Sequence, residues 1–593
     1  MRFRFSPLVV AVSLALSFSS QVTASPTDLE TEEYKSSGAL DIIKASQAYD
    51  LGYTGQGLTI GILDTAVRID HPELAGKAEM LMNSSSGTQT WDNDNTHGSH
   101  VAGIMAAKRD GIGMHGVAFD AEIWSGDFLN EYTPLDLNQY FATHPEVRIF
   151  NNSWGYTEYI PMFGADGKES SIENFAEILS SDIELVTIAV YAHEQPQSVF
   201  VFAAGNDGEI APGFTANLPR YLNVGDLTNW INVGSVNANN GCITTGENGE
   251  LILNSASIPW FTNLSKGAEL FTVMAPGSNI FSLDARTNGY MLDSGTSMSA
   301  PVVTGALALV AQAHPWMNGK QLADAVLTTA NNSFEAPKYA IQYRTADFNP
   351  ADGDFGTIRL VIIADNKEQA DKFRESGTDI DGTLITINAD TESVMELLDK
   401  QIEQDPSAWV GGADFARQAV ADGNFVIEVL TREEVFGQGI LDVGKAVRGP
   451  ARLDANRMTA DNVLKVAELQ KTYAIETFDT QGYTSEFSND ISERKWEDRY
   501  HHEEYQTTGS DNKNAQSLKD KSVGLLKTGT GTLILSGYNT YEGATIVEEG
   551  VLVIAQRADT TEVISEEDSM TSGTLQKSSV VVRENGMLSG DGF

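Results

Sequence analysis

Asp293-Ser294-Gly295-Thr296-Ser297-Met298-Ser299-Ala300-Pro301, running straight into the apolar segment Val302 to Ala311, is the stretch that organises this 593-residue chain. Small residues tighten a turn around Ser297, and a helical pattern opens directly after it. Ser297 therefore stands at a helix N-terminus, where unpaired N–H groups and the positive end of the helix dipole hold developing negative charge. Pro301 is predicted in the first helical turn, where its missing N–H costs little. A plain N-cap is the other use of a serine at this point. Only the rest of the chain separates the two.

Length allows several domains, because single cores stop growing near 250–300 residues. Apolar residues make up 41% of the chain, and 39 basic against 82 acidic side chains give a net charge of -43. That balance argues against nucleic acid and anionic membrane surfaces as partners. Cys242 is the single cysteine, so no intramolecular disulfide forms. A secreted chain without disulfides suits export before folding. Residues 1–24 have the layout of an export signal: basic Arg2 and Arg4, an apolar core from Leu8 to Phe18, and Val22-Thr23-Ala24 before Ser25. The apolar core is about half the ~20 residues of a spanning helix. No later stretch is expected to be long and apolar enough to span a bilayer as a helix.

Leu58-Thr59-Ile60-Gly61-Ile62-Leu63 has the pattern of a buried parallel strand, and it ends in Asp64. Functional groups of open α/β sheets collect beyond the carboxyl ends of strands, which suits Asp64, although an Asx turn is its plainer use. Thr96-His97-Gly98-Ser99-His100-Val101-Ala102-Gly103 opens a helix with a small-residue face and puts His97 in its first turn. His100 is expected to be structural. The pair lacks the i, i+4 spacing and intervening Glu of zinc proteases. Gly111-Ile112-Gly113-Met114-His115-Gly116 is a GxGxxG, but it follows a helix rather than a strand and is expected to be a tight loop. Arg148 to Gly155 and Val199 to Gly208 each present a strand, small residues and amide side chains at the carboxyl end; the second supplies Asn206. Strands alternating with helices predict a parallel sheet covered on both faces.

A serine hydroxyl becomes a nucleophile when an imidazole takes its proton, and a buried carboxylate fixes that imidazole's tautomer. An amide N–H suits the oxygen of the tetrahedral intermediate. Asp64, His97, Ser297 and Asn206 supply each role once. The order Asp, His, Ser differs from the Ser-first α/β-hydrolase order.

Four motifs in register, Ile62-Leu63-Asp64-Thr65, His97 to Gly103, Ala204-Gly205-Asn206 and Gly295 to Pro301, resemble those of the subtilisin-like serine proteases, the subtilases. The resemblance implies an α/β, subtilisin-like parallel sheet with helices on both faces, Asp64, His97 and Ser297 as the triad, and Asn206 at the oxyanion hole. Ser153-Trp154-Gly155 is similar to the family's substrate-binding strand, implying extended polypeptide substrates. Ala66 departs from the usual Gly. If that backbone requires positive φ, the methyl strains it and tilts Asp64. Some subtilases bind calcium after the His helix. Here Asp110, with Glu73, offers the side-chain ligands, while Lys108 and Arg109 favour a plain surface loop. The reading requires no cofactor.

The catalytic domain is expected over residues 34–449, with a small α/β insertion at about 335–435 that restricts access or binds a partner. Phe436 to Val447 is similar to the element that closes subtilase domains. Residues 450–521 are expected to be a polar connector. From Leu526-Lys527-Thr528-Gly529 onward, short strands and Gly/Asn corners suit an incomplete parallel β-helix over 522–593, against a pair of hairpins. This segment resembles the repeat of bacterial autotransporter passengers, implying export in a Gram-negative bacterium to the periplasm, cell surface or medium, and an outer-membrane barrel in a full-length relative. The sequence stops at Phe593, one or two rungs into such a stalk, as a fragment or a truncated product would. The chain is thus expected to be an exported serine endopeptidase, or else an inactive adhesin or passenger fragment.

Overall fold

The computed structural model describes residues 29–81, 96–129, 135–155, 182–222, 227–247, 250–344, 349–496, 509–555 and 574–590. The export signal expected at 1–24 lies outside them. Seven strands form one sheet: β1 Thr59–Asp64, β2 Ala78–Leu81, β3 Glu122–Asp127, β4 Ile149–Asn152, β5 Val199–Ala203, β6 Trp230–Val236 and β7 Thr272–Pro276. They lie in the order β2-β3-β1-β4-β5-β6-β7, and every pairing is parallel. The chain goes to one side of β1 for β3 and to the other for β4. The crevice at the carboxyl end of β1 and β4 is therefore the switch point at which α/β sheets bind ligands.

Period-2 alternation splits the two faces by side-chain type. Val199, Val201 and Ala203 of β5 face the cluster built around the helix Thr296–Ala313. Phe200 and Phe202 point the other way, where rings stack at 4.8 Å (Phe150–Phe200) and 4.1 Å (Phe202–Trp230). The helix Thr296–Ala313 packs on β4 to β7 and on the helix His97–Ala106. It has the length and composition of a membrane span, with a mean hydropathy of 1.3, contrary to the expectation that no stretch after the signal does. That helix is 83% buried inside the protein, so its apolarity is that of a core helix. Fully burying each Val or Leu there contributes roughly 1.5–3 kcal/mol.

Beyond the helix Gly319–Thr329 the chain forms a three-stranded sheet, with Tyr339–Arg344 antiparallel and Phe425–Thr431 parallel to Thr357–Ala364. Helices Lys367–Ser376, Thr391–Gln404 and Ala413–Ala421 accompany it around a separate core. The chain then returns to the main sheet, where Ile440 bridges Met274 in parallel.

Residues expected to be a connector instead begin the β-helix. Lys471–Asp479 pairs in parallel with Val523–Thr528, and Thr484–Phe487 with Thr532–Leu535. Both continue onto Thr545–Ile554 and then Val580–Gly590, again in parallel, which excludes hairpins. The charged residues that made this stretch read as a linker have partners far along the chain. Lys320 Nζ reaches Glu476 at 2.8 Å and Asp324 at 2.5 Å, and Arg457, only 2% exposed, donates to Asp324.

Candidate active site

Asp64 is the last residue of β1 and fully buried. His97 is the first residue of its helix, which approaches β1 so closely that a Cβ at Gly98 would lie 2.1 Å from the Thr65 carbonyl. Gly98 N–H donates to Thr65 Oγ1 at 2.8 Å, fixing that approach. His97 Nδ1–H donates to Asp64 Oδ1 at 2.7 Å, and Oδ1 also accepts from Thr65 N–H at 2.7 Å. This bond leaves the lone pair on Nε2, the atom a base uses. Burial pushes the His97 pKa down, but the charge and hydrogen bond of Asp64 and the charge of Asp293 more than offset it. The net shift is upward from 6.5. Ala66, buried beside this turn, is not among the residues with positive φ, so the expected strain on Asp64 is absent.

Ser297 is the second residue of its helix, with Gly295 as N-cap, and Pro301 falls in the second turn rather than the first. Position 301 is the residue whose N–H would bond the Ser297 carbonyl. Proline withdraws that donor, and Ser153 Oγ donates to the Ser297 carbonyl at 2.8 Å instead. Ser297 Oγ in turn donates to the Ser153 carbonyl at 3.1 Å. Among the described residues, Ser297 Oγ makes no hydrogen bond to His97. Asn151 donates to Ser153 Oγ at 2.9 Å and accepts from Thr304 Oγ1 at 2.9 Å, extending the network into the core.

Asn206 is exposed at the end of β5. Its Oδ1 accepts from Thr296 N–H at 2.8 Å and Thr296 Oγ1 at 3.0 Å. Both bonds are made by the amide oxygen, so neither uses the donor capacity of the NH2 group. The Ser297 N–H, in the first turn, has no intrahelical acceptor by position. Of the expected substrate-binding residues, Ser153 is buried, Trp154 packs against Phe128 and Phe202, and Gly155 is exposed.

Asn263 was not singled out by sequence, yet it organises the Asn206 loop. Its Oδ1 accepts from Asp207 N–H (3.0 Å) and Glu209 N–H (3.1 Å), and its Nδ2 donates to the Ala204 carbonyl (3.1 Å). No local signal marks it, because the bonds join residues more than 50 apart in sequence.

Of the carboxylates considered for calcium, one oxygen each of Glu73 and Asp110 accepts from a protein donor, while Glu73 Oε2 is buried without a partner. Glu73 accepts from the Tyr290 hydroxyl, and burial above all pushes its pKa up. Asp110 accepts from Ile112 N–H at 3.1 Å. Glu33 takes the N–H groups of Asp110 and Gly111 at 2.9 and 3.1 Å. Among the described residues there is no group of three or more His, Cys, Asp or Glu able to hold a metal ion. His100 is buried, with Nε2 bonded to the Met291 carbonyl at 3.3 Å, and burial pushes its pKa down to about 4, as suits a structural side chain.

The model of the subtilase family matches residues 55–353, half of the chain. The chain belongs to the subtilase family. Residues 525–554, beyond the subtilase core, match the passenger-associated-transport-repeat. An extracellular serine protease of Serratia marcescens is 31% identical over 359 residues, covering 52% of this chain and 32% of that protein. The chain thus spans about a third of the length of that relative. Subtilisin DY of Bacillus licheniformis is 29% identical over 301 residues, 49% of this chain and 90% of the other. Of solved structures, the self-cleaved protease domain of PatA aligns at 22% identity and a TM-score of 0.32, covering 47% of this subtilase and 90% of that chain.

Proposed function

We propose that the chain is an exported serine endopeptidase acting through Asp64, His97 and Ser297 and an acyl-enzyme intermediate. The observation that carries this reading is the 2.7 Å bond from His97 Nδ1 to a fully buried carboxylate. Rotation about the Ser297 side chain redirects its hydroxyl from the Ser153 carbonyl to His97 Nε2. His97 takes the proton as Ser297 Oγ attacks the scissile carbonyl, and the resulting imidazolium is stabilised by Asp64. The oxyanion is held by the Asn206 amide and the Ser297 N–H, at a helix terminus. His97 then protonates the leaving amine, and water, activated by the same imidazole, releases the acyl group. Extended polypeptides bind along the backbone after β4, because the Trp154 side chain is committed to the core.

Export to the cell surface or medium is supported by the passenger repeat and by the extracellular Serratia relative. In a longer form the β-helix would lead to an outer-membrane barrel. Replacing Ser297 by Ala tests the reading. Cleavage of a denatured protein substrate is expected to fall by about 10⁶, as for loss of a triad member, and retained cleavage would refute it. The rival reading, an inert passenger, draws on the Ser297 hydroxyl being bonded to Ser153 rather than to His97. It requires the wild-type chain to be inactive as well.

A further inference from the structure

The insertion meets the core at the loop that carries Asn206. Glu209, three residues further on, is buried. Its Oε2 accepts from Arg359 Nη1 at 2.9 Å, and its Oε1 lies 2.7 Å from Arg344 Nε. Arg359 Nη1 also donates to the Gly208 carbonyl at 2.9 Å. Both arginines stand on insertion strands, Tyr339–Arg344 and Thr357–Ala364. The strands are themselves fastened to the core, since Tyr343 N–H donates to the Trp260 carbonyl at 3.0 Å. Contact at the loop is tight: a Cβ at Gly208 would lie 2.8 Å from the Tyr343 carbonyl, at a φ of +65° that side chains rarely adopt.

A buried carboxylate is tolerated when its charge is compensated, and two guanidiniums that fix both oxygens also fix where the carboxylate sits. The loop is therefore gripped on one side by Asn263 and on the other by the insertion. Asn206 belongs to this loop, with its Oδ1 held by Thr296, and its amide has to meet an oxygen that exists only in the transition state. Misplacement by about 1 Å at such a point costs on the order of 10²-fold in rate.

We propose that Arg344 and Arg359 of the insertion, through Glu209, position Asn206 as the oxyanion donor, making the insertion part of the catalytic apparatus. The proposal rests on the triad reading above. These are positioning residues, so their effect has to pass through Asn206.

A double-mutant cycle on the full chain tests this, with Arg359→Met made in the wild type and in Asn206→Ala, assayed on a p-nitrophenyl ester and a peptide. In the wild type, kcat is expected to fall about 10- to 100-fold with KM nearly unchanged. In the Asn206→Ala background the same substitution is expected to cost about twofold or less, because the interaction it supports is already gone. Glu209→Gln, which keeps the side-chain shape, is read the same way if Arg359→Met fails to fold. Equal losses in both backgrounds, or a raised KM with kcat unchanged, would overturn the clamp alone. A wild-type chain without hydrolysis, or Ser297→Ala as fast as the wild type, would sink the triad reading and the clamp with it.

Discussion

Ser153 and Ser297 hold each other reciprocally. The Ser153 hydroxyl donates to the Ser297 carbonyl at 2.8 Å, and the Ser297 hydroxyl donates to the Ser153 carbonyl at 3.1 Å. The first bond exists because Pro301, one helical turn on, offers the Ser297 carbonyl no N–H. Ser153→Ala leaves that carbonyl without a donor and is expected to cost about 1–3 kcal/mol. Adding Pro301→Ala restores an N–H at the right position and is expected to recover much of the loss. Thermal unfolding of the single and double variants checks this. A double variant no more stable than Ser153→Ala would contradict the account.

The His97 titration gives a pH dependence with a definite sign. Its pKa is raised above 6.5 because the Asp64 charge and hydrogen bond, helped by Asp293, outweigh burial. In the proposed mechanism the base is the neutral imidazole, so kcat/KM is expected to rise with pH along a limb centred above 6.5. The stability of the charged pair runs the other way, complete below pH 6.5 and lost as pH climbs through the raised value. In Asp64→Asn, burial dominates, and the ring is expected to titrate below 6.5 by NMR. An unmoved titration would show that Asp64 does not act on His97.

Glu269 makes a separate prediction about stability. Burial pushes its carboxyl up to about 7, although Oε1 accepts from Gly267 N–H at 2.8 Å. A raised carboxyl pKa gives stability that is whole below the unfolded value near 4.5 and is lost as pH rises through about 7. Glu269→Gln is therefore expected to raise Tm relative to the wild type at pH 8 and to match it near pH 4.5. Equal Tm differences at both pH values would rule this out.

At the junction of core and β-helix, Asp324 is the shared anion of Lys320 and Arg457. Its pKa is lowered because those two cations outweigh a large burial penalty. Asp324→Ala leaves two buried cations with less compensation and is expected to destabilise by about 3–5 kcal/mol. Because Lys320 also grips Glu476 on the first β-helix turn, core and β-helix are expected to unfold in a single transition. Two resolved transitions in a calorimeter would contradict the coupling.

The legible parts of the sequence are those whose signal is local. The continuous apolar strands ending in Asp64 and Ala203, the small-residue helix after His97, and the run from Val302 to Ala311 each announce themselves by composition and period. What stayed hidden depends on distant partners. Lys471 to Asp479 looks like a linker because nothing nearby shows that Glu476 meets Lys320, 156 residues away. Asn263, Glu209 and Asn151 look like ordinary polar residues, and only the packed fold brings Asn263 to the Asn206 loop, Glu209 to Arg344 and Arg359, and Asn151 to Thr304. The turn assigned to Pro301 was missed by a few residues, since helix starts are the least definite part of a periodic pattern.

The most direct test is labelling of the full chain with a serine-reactive fluorophosphonate, followed by peptide mapping. One adduct at Ser297 is expected, abolished by His97→Ala. No adduct, or one that forms at the same rate without His97, would contradict the hydrolytic account.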